Sequence, residues 1–347
     1  MFNSIPRILS LLFLMAFFSL AIYFSATKPR VVILHSYNPE YAWTRDINVG
    51  IRRIADRWTD FSVTWHYMDS SRHTGKEWLR RIGIAARRTI DRIDPDVLIA
   101  VDDPAQDLAA RYYVAHPRIQ VVFAGVNGEI EPYGYPGAAN VTGIFERKPL
   151  LAAKELIQAL EAKKPQPNPH PRVLYLFDLS PSLKQDRKLI DDYDWTPVDY
   201  AGSVMAKDFG DWQAVVRGLP ERKVDYLLIA NYRVLPRSEQ DHSFPTPAEV
   251  MGWTEAQSSV PVIGINIFNV EDGGALAVGA SPIEQGTVAA ERAEVILERG
   301  IAAGTLPVLL NHHYVVAIDP RGLSRRGLEL PQVYENFARA TGAYIER

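Results

Sequence analysis

The alternation of apolar β-type runs with helical patterns constrains the fold of this chain more than any other feature. The clearest example lies at residues 95–143, where the run DVLIAV ends in Asp102 and Asp103 and a second run, VVFAGV, ends at Asn127. A helical pattern separates the two runs, and Pro104 suits its first turn. Strands that alternate with helices predict an α/β fold with parallel sheets and helices on both faces.

The alternation of strand and helix patterns occurs in two successive arrays. With 347 residues, the chain is also longer than one hydrophobic core usually serves. The sequence therefore predicts two Rossmann-like lobes, formed by residues 30–143 with 273–305 and by residues 144–272 with 306–347. Three extended segments fit neither array and are interpreted as crossings between the lobes: 140–145, 274–278 and 307–318. Other predicted elements include a helix at residues 106–114, a strand at 196–200, and helices at 74–93, 181–191, 282–299 and 332–340.

Composition excludes several classes of function. The net charge of −3 gives no reason to expect a nucleic-acid partner. The absence of cysteine removes disulfides, thiol catalysis and Cys-type metal sites. Adjacent His312 and His313 would point to opposite faces of a strand, so no metal is expected there. Because the common enzyme signatures are missing, no catalytic residue and no cofactor are expected.

The first 27 residues predict export. Residues 8–26 form an almost unbroken apolar run, typical of a signal peptide or a single membrane anchor. Phe24 or Tyr23 would stand where a cleavage site needs a small residue, which favours an uncleaved anchor. Arg7 would then face the cytoplasm, and the remaining chain would lie in the periplasm, held at the inner membrane.

Ligands of open α/β sheets bind at the carboxyl ends of the strands. The candidate ligand-binding residues at those ends are His35, Ser36, Tyr37, Trp43, Asp69, Asp102, Asp103 and Asn127 in the first lobe, and Asp178, Asn231, Tyr232 and Asn266 in the second. Acidic side chains favour a ligand amine, and helix starts near Pro104 and Ser180 favour a ligand carboxylate. Tyr37 and Trp43 offer aromatic faces for stacking.

Each candidate also has a purely structural interpretation. One of Asp102 and Asp103 would serve as a helix N-cap, and Asn127 would end a strand in a turn. Asp69 would cap a helix, Trp43 would pack in the core, and His35 would be a strand-end hydrogen-bonding group. An exported hydrolase that uses the carboxylates Asp69, Asp102 and Asp103 remains an alternative function.

Five segments carry a resemblance to a known family: VVILHSYNPEYAWTRDINVGI (31–51), DVLIAVDDPAQDLA (96–109), VVFAGVNGE (121–129), NVTGIFE (140–146) and GGALAVGASPIEQGTVAAERAEVILERG (273–300). The chain resembles type I periplasmic solute-binding proteins, and among them the substrate-binding family of ABC transporters with tryptophan- and tyrosine-binding members. The resemblance implies hinge closure on a small amino-acid-like or aromatic ligand and an ABC permease as partner. Because the same module serves as an extracytoplasmic sensor domain, a membrane sensor protein is the alternative partner.

Overall fold

The computed structural model describes residues 5–72, 75–180 and 183–346. Across these residues the chain forms two six-stranded sheets. The first sheet has the order β11-β5-β4-β3-β1-β2 and comprises β1 (Arg30–His35), β2 (Ser62–Tyr67), β3 (Val97–Val101), β4 (Gln120–Val126), β5 (Val141–Phe145) and β11 (Leu309–Leu310). The second has the order β12-β10-β9-β8-β6-β7 and comprises β6 (Arg172–Phe177), β7 (Asp199–Met205), β8 (Tyr226–Ile229), β9 (Val262–Gly264), β10 (Leu276–Ala280) and β12 (Tyr314–Ile318).

Helices connect the strands and cover the sheets. They are α1 (Ile5–Thr27), α2 (Ala42–Ala55), α3 (Lys76–Ile93), α4 (Asp103–Leu108), α5 (Leu150–Glu161), α6 (Leu183–Asp191), α7 (Phe209–Arg217), α8 (Leu219–Arg222), α9 (Pro247–Gln257), α10 (Phe268–Glu271), α11 (Pro282–Arg299), α12 (Pro320–Arg326) and α13 (Gln332–Ala340). All strand pairs are parallel except β10 with β12. The predicted two-lobed α/β class is confirmed.

The central strands are apolar throughout because both faces of each sheet are covered. In β1, Val31 and Ile33 join the hydrophobic cluster on one face, whereas Val32 and Leu34 join the cluster on the other. This alternation follows from the two-residue period of a strand. All four side chains are fully buried.

Two glycines bring α2 and α11 into backbone contact. A Cβ atom on Gly286 would lie 2.1 Å from the carbonyl oxygen of Ile47, and one on Gly50 would lie 2.2 Å from that of Ile283. Only glycine permits this approach at either position. The contact packs α11 on α2 of the first lobe.

Two predicted elements differ in extent. The helix predicted at residues 106–114 begins at Asp103 and ends at Leu108, where Ala109 leaves the helical region with φ −140°, and a short 3-10 helix follows. The strand predicted at 196–200 begins only at Asp199. Pro197, which has no N–H to donate to a sheet, precedes it. The predicted starts of the helices at 74 and 181 fall outside the described residues.

The lobe limits also differ from those predicted, because strand pairing extends the sheets past them. β5 continues to Phe145 within the first sheet. β10 was expected in the first lobe, but it pairs with β9 and β12 of the second sheet. The run predicted at 307–318 is two short strands, one in each sheet. The chain therefore crosses between lobes at residues 146–149, at Ser281 and at residues 311–313.

In residues 5–72, 75–180 and 183–346, no helix combines the length and apolar character needed to cross a membrane. The anchor or signal peptide predicted from residues 8–26 stays a prediction.

Candidate ligand-binding site

The two lobes face each other across a cleft and touch at several points. Lys148 Nζ donates a hydrogen bond to Asn266 Oδ1 at 2.9 Å, which joins the first crossing to the second lobe. Arg45 of α2 pairs with Glu271 of α10 at 3.0 Å. One contact lies at the crossing, and the other joins a helix of each lobe.

Asp102 is the most constrained side chain in the cleft. It follows β3 with φ +67°, in a region that few non-glycine residues adopt. The indole N–H of Trp43 donates to Asp102 Oδ1 at 2.8 Å, whereas Oδ2 has no partner among the described residues. Burial raises the pKa of Asp102 well above its usual range, and the nearby Glu146 carboxylate adds to the effect. Backbone strain and an unpaired carboxylate oxygen together make Asp102 a candidate functional position.

Asp103 has a different role, since its oxygens hold the loop after β4. It accepts hydrogen bonds from the backbone N–H of Asn127 at 3.0 Å, from that of Gly128 at 3.1 Å and from the Tyr133 hydroxyl at 3.0 Å. Asp102 occupies the N-cap position of α4, as predicted for one of the two aspartates, but its side chain accepts no capping hydrogen bond.

Asn127 links the first lobe to the first crossing. Its Nδ2 donates to Glu146 Oε2 at 3.1 Å and to the carbonyl of Gly125 at 3.3 Å. Both partners are acceptors, which fixes the amide orientation. Asn127 Oδ1 is buried and, within the part of the chain described, without a partner.

Glu146, Lys148 and Asp186 form a buried charged group where the chain crosses between lobes. Lys148 pairs with Glu146 and lies 3.7 Å from Asp186 Oδ2. Burial lowers the pKa of Lys148, but the two carboxylates outweigh it and raise the pKa, so the lysine stays charged. Burial raises the pKa of Asp186 to about 7, against the opposing effect of Lys148.

Aromatic side chains and an arginine line the cleft opposite these charges. The rings of Tyr37 and Tyr41 meet edge to face at 5.1 Å. The Arg233 guanidinium lies 5.2 Å from the Tyr41 ring and 4.5 Å from the Phe268 ring, and it pairs with Asp272 at 2.7 Å. A cation already sits between aromatic faces of both lobes, which shows that this wall accommodates positive charge.

Three first-lobe candidates pack or form hydrogen bonds within the first lobe. His35 is fully buried and stacks on Tyr67 at 5.2 Å, and burial lowers its pKa to about 3, so it is neutral. The Ser36 hydroxyl donates to the carbonyl of Val101 at 2.6 Å and accepts from the N–H of Ala105 at 2.8 Å. Trp43 packs in the core and orients Asp102, so it is not a stacking platform.

Asp69 also turns away from a shared carboxylate site. Its φ is +54°, it accepts from Asn38 Nδ2 at 3.3 Å and it pairs with Arg72. Of the predicted first-lobe residues, the structure brings Tyr37, Asp102 and Asn127 to the cleft, with Asp103 supporting them.

In the second lobe most candidates bond within their own loop. Asp178 accepts from the backbone N–H of Ser180 at 2.9 Å and from that of Val234 at 3.1 Å. Asn231 Nδ2 donates to the Ser180 hydroxyl at 2.8 Å. The Tyr232 hydroxyl donates to Asp272 at 2.6 Å while its ring packs in the core. Asn266 instead accepts a hydrogen bond from Lys148 of the first crossing. The helix start after Ser180 lies outside the described residues.

Several cleft residues were missed from the sequence: Tyr41, Glu146, Lys148, Asp186 and Arg233. A local signal existed for two of them, because the charged triplet ERK directly follows an apolar strand at a predicted crossing. In residues 5–72, 75–180 and 183–346, no group of His, Asp and Glu side chains is arranged to hold a metal ion.

The crossings themselves are joined by hydrogen bonds. Asn311 Oδ1 accepts from the N–H of Arg147 at 2.7 Å, and its Nδ2 donates to the carbonyl of Arg147 at 3.2 Å. The Glu284 carboxylate accepts from the N–H groups of His312 and His313 at 3.0 Å and 2.9 Å. The three segments therefore form one connected hinge.

Neither a protein-family model nor a curated protein matches the sequence. Solved structures do match the fold. An ABC domain from Streptococcus pneumonia in complex with L-Trp has a TM-score of 0.62 at 16% identity, covering 88% of this chain and 98% of that one. A ligand-free, open substrate-binding protein with adhesive properties from Clostridium difficile has a TM-score of 0.63 at 13% identity, covering 87% and 96%.

A carbohydrate transporter from Acidothermus cellulolyticus in complex with myo-inositol has a TM-score of 0.52 at 12% identity, covering 90% of this chain and 100% of that one. These matches show that the chain has the fold of type I periplasmic binding proteins, as the sequence predicted. The two ligand-bound structures hold different ligands, L-Trp and myo-inositol, so the fold does not fix the ligand.

Proposed function

We propose that this protein is an extracytoplasmic solute-binding protein that captures a small ligand between its lobes and delivers it to an ABC permease. The observation that carries the proposal is the cleft itself, where buried polar groups of both lobes meet beside a three-segment hinge. The apolar segment at residues 8–26 supports export to the periplasm, and its retention at the inner membrane is part of the proposal.

Hinge closure supplies the mechanism. The pair of Arg45 on α2 with Glu271 on α10 joins the two lobes directly and forms only when the lobes meet, so a ligand that touches both lobes stabilises the closed form. Its effect equals its difference in affinity between the two forms. Closure then creates the surface that the permease reads, which couples ligand capture to delivery.

The proposed ligand is amino-acid-like or aromatic. Tyr37 and Tyr41 provide ring faces, and the carboxylates beside them provide acceptors for an amine. The likeness to a Trp-bound domain agrees with this choice, although a likeness at 16% identity shows only the fold.

The absence of cysteine permits a direct test of closure. Labels attached through Val49→Cys on α2 and Ala256→Cys on α9 would report the distance between lobes of the full-length chain. Both sites are exposed and lie outside the cleft contacts. A panel of amino acids, aromatic compounds and sugars should contain one class that shifts the population saturably towards the closed distance.

A second label pair serves as the control. Val49→Cys with Arg88→Cys places both labels on the first lobe, and this distance should not respond to any compound. A distance between lobes that stays unchanged across the whole panel would refute ligand-driven closure.

No observation favours the alternative hydrolase. Asp69 pairs with Arg72 and Asp103 is occupied by three donors, so the three carboxylates are not arranged around one reacting centre. A sensor that reports the same closure to a membrane protein would share the site, and only the partner would differ.

A further inference from the structure

A cavity beside the first crossing lies outside the cleft, and we call it the α5 cavity. Its volume is about 380 Å³, which is within the range of small-molecule pockets. The cleft residues Tyr37, Asp102 and Asn127 do not line it. The described residues that do are residues 147–151, Asp186, Leu189, Ile190 and Tyr193.

The body of the α5 cavity is apolar. Leu150 and Leu151 of α5 form one side, and Leu189 and Ile190 of α6 form the other, with the Tyr193 ring beside them. Leu151 and Leu189 are 57% and 39% exposed, so a compound in the cavity would cover apolar surface that now meets water. This part of the cavity suits a hydrocarbon or aromatic group.

The polar end of the α5 cavity combines a helix start with two cations. Pro149 is the N-cap residue of α5 and, in the described part of the chain, no side chain caps the helix, so N–H groups of its first turn remain available to a ligand. Arg147 is held by three backbone carbonyls, and Lys148 pairs with Glu146. A positive helix end beside two fixed cations favours an anion.

Asp186 lies in the wall of the same cavity. It is 1% exposed, and neither carboxylate oxygen has a hydrogen-bond partner among the described residues. Lys148 Nζ is 3.7 Å from Asp186 Oδ2, which is too far for a hydrogen bond. Burial raises the pKa of Asp186 to about 7, so near neutral pH the carboxyl group carries a proton for which an acceptor is lacking. A ligand carboxylate would supply that acceptor.

We propose that the α5 cavity binds a small carboxylic acid, whose carboxylate accepts hydrogen bonds from the first turn of α5 and from the Asp186 carboxyl group while its apolar body packs between α5 and α6. Residues 147–149 belong to the first crossing, so this ligand would contact the hinge as well as the second lobe. The inference goes beyond the proposed function because the site is separate from the cleft.

Binding should take up a proton. An anion beside Asp186 favours the neutral form of its carboxyl group, so the affinity should be highest at low pH and fall as the pH rises through about 7. The charged and titratable groups that act on Asp186 are Glu146, Arg147 and Lys148 of the first crossing, Asp103 of α4 and Tyr175 of β6.

Three probes of similar shape test the inference by calorimetry on the full-length chain: phenylbutyrate, phenylbutanol and phenylbutylammonium. The carboxylate should bind at least about tenfold more tightly than the alcohol or the ammonium ion. Its affinity should fall about tenfold from pH 6 to pH 8, and buffers with different heats of ionisation should show the uptake of about one proton at pH 8.

Two variants locate the binding in the α5 cavity. Leu189→Trp fills the exposed side of the cavity and should weaken phenylbutyrate binding by about tenfold or more. The matched control is Val333→Trp, at an exposed aliphatic position on α13 of the same lobe, and it should leave binding unchanged.

Asp186→Asn tests the role of the proton. Asparagine keeps an N–H donor at every pH, so the variant should bind phenylbutyrate at pH 8 about as tightly as the natural protein does at pH 6. Asp192→Asn removes an exposed carboxylate just after α6 and should keep the natural pH profile.

The outcomes separate this inference from the proposed function. Equal binding of the three probes, unchanged binding in Leu189→Trp, or the same pH profile in Asp186→Asn and the natural protein would overturn the site in the α5 cavity. None of these results bears on ligand-driven closure, which the labels at positions 49 and 256 report. Closure could fail in that assay while the site in the α5 cavity stands.

Discussion

Asp186 should make the stability of this protein fall as the pH rises. Its carboxylate is buried, both oxygens lack a hydrogen-bond partner in the described chain, and its pKa rises from the ordinary 3.8 to about 7. Between these values the folded protein keeps a proton that the unfolded chain has lost. The free energy of unfolding therefore decreases through this window, by roughly 4 kcal/mol in total for a shift of about three pKa units.

The assay is urea-induced unfolding of the full-length chain at intervals from pH 4 to pH 8. Asp186→Asn cannot titrate, so the variant should gain stability relative to the natural protein as the pH rises towards 7. The control is Asp192→Asn, which removes an exposed carboxylate just after the same helix. If the difference between the natural protein and Asp186→Asn stays constant from pH 4 to pH 8, the buried-carboxyl argument is refuted.

Two further changes test packing and charge. Gly286→Ala places a Cβ 2.1 Å from the Ile47 carbonyl oxygen and should destabilise the fold by about 1–3 kcal/mol. Gly252→Ala in α9 places a Cβ where no atom lies within 4 Å, and it should stabilise the fold by about 0.5–1 kcal/mol. Chemical denaturation measures both, and equal effects would contradict the packing argument. Lys148→Met removes the buried partner of Glu146 and should cost about 3–5 kcal/mol, partly recovered on adding Glu146→Gln; no recovery would mean that unpaired charge is not the cause.

The limits of helix α11 could be predicted from the residues at its own ends. Ser281 accepts a hydrogen bond from the N–H of Glu284, Pro282 occupies the first turn, and Gly300 ends the helix with φ +60°. All three signals are encoded within the helix and its ends, so its limits at 282 and 299 follow from the sequence. The succession of strands and helices is also encoded by neighbouring residues, and it predicts the two-lobed α/β fold.

The site was only partly predictable for a physical reason. The sequence places Asp102 and Asp178 alike, since each follows an apolar strand. Asp178 bonds to its own loop, whereas one carboxylate oxygen of Asp102 is buried and has no hydrogen-bond partner among the described residues. Which of these happens depends on neighbours that the sequence pattern does not reveal, such as Trp43, 59 positions away from Asp102.

The sequence by itself determined the order of the elements, the two lobes and the strand ends near which a ligand would bind. Only the tertiary structure decided which side chains meet in the cleft, because those contacts join distant segments. Lys148 reaches Asn266 across 118 positions, and Asn311 bonds to Arg147 across 164. Periodicity and capping act over a few residues, whereas the cleft and its hinge arise when two separately patterned lobes come together.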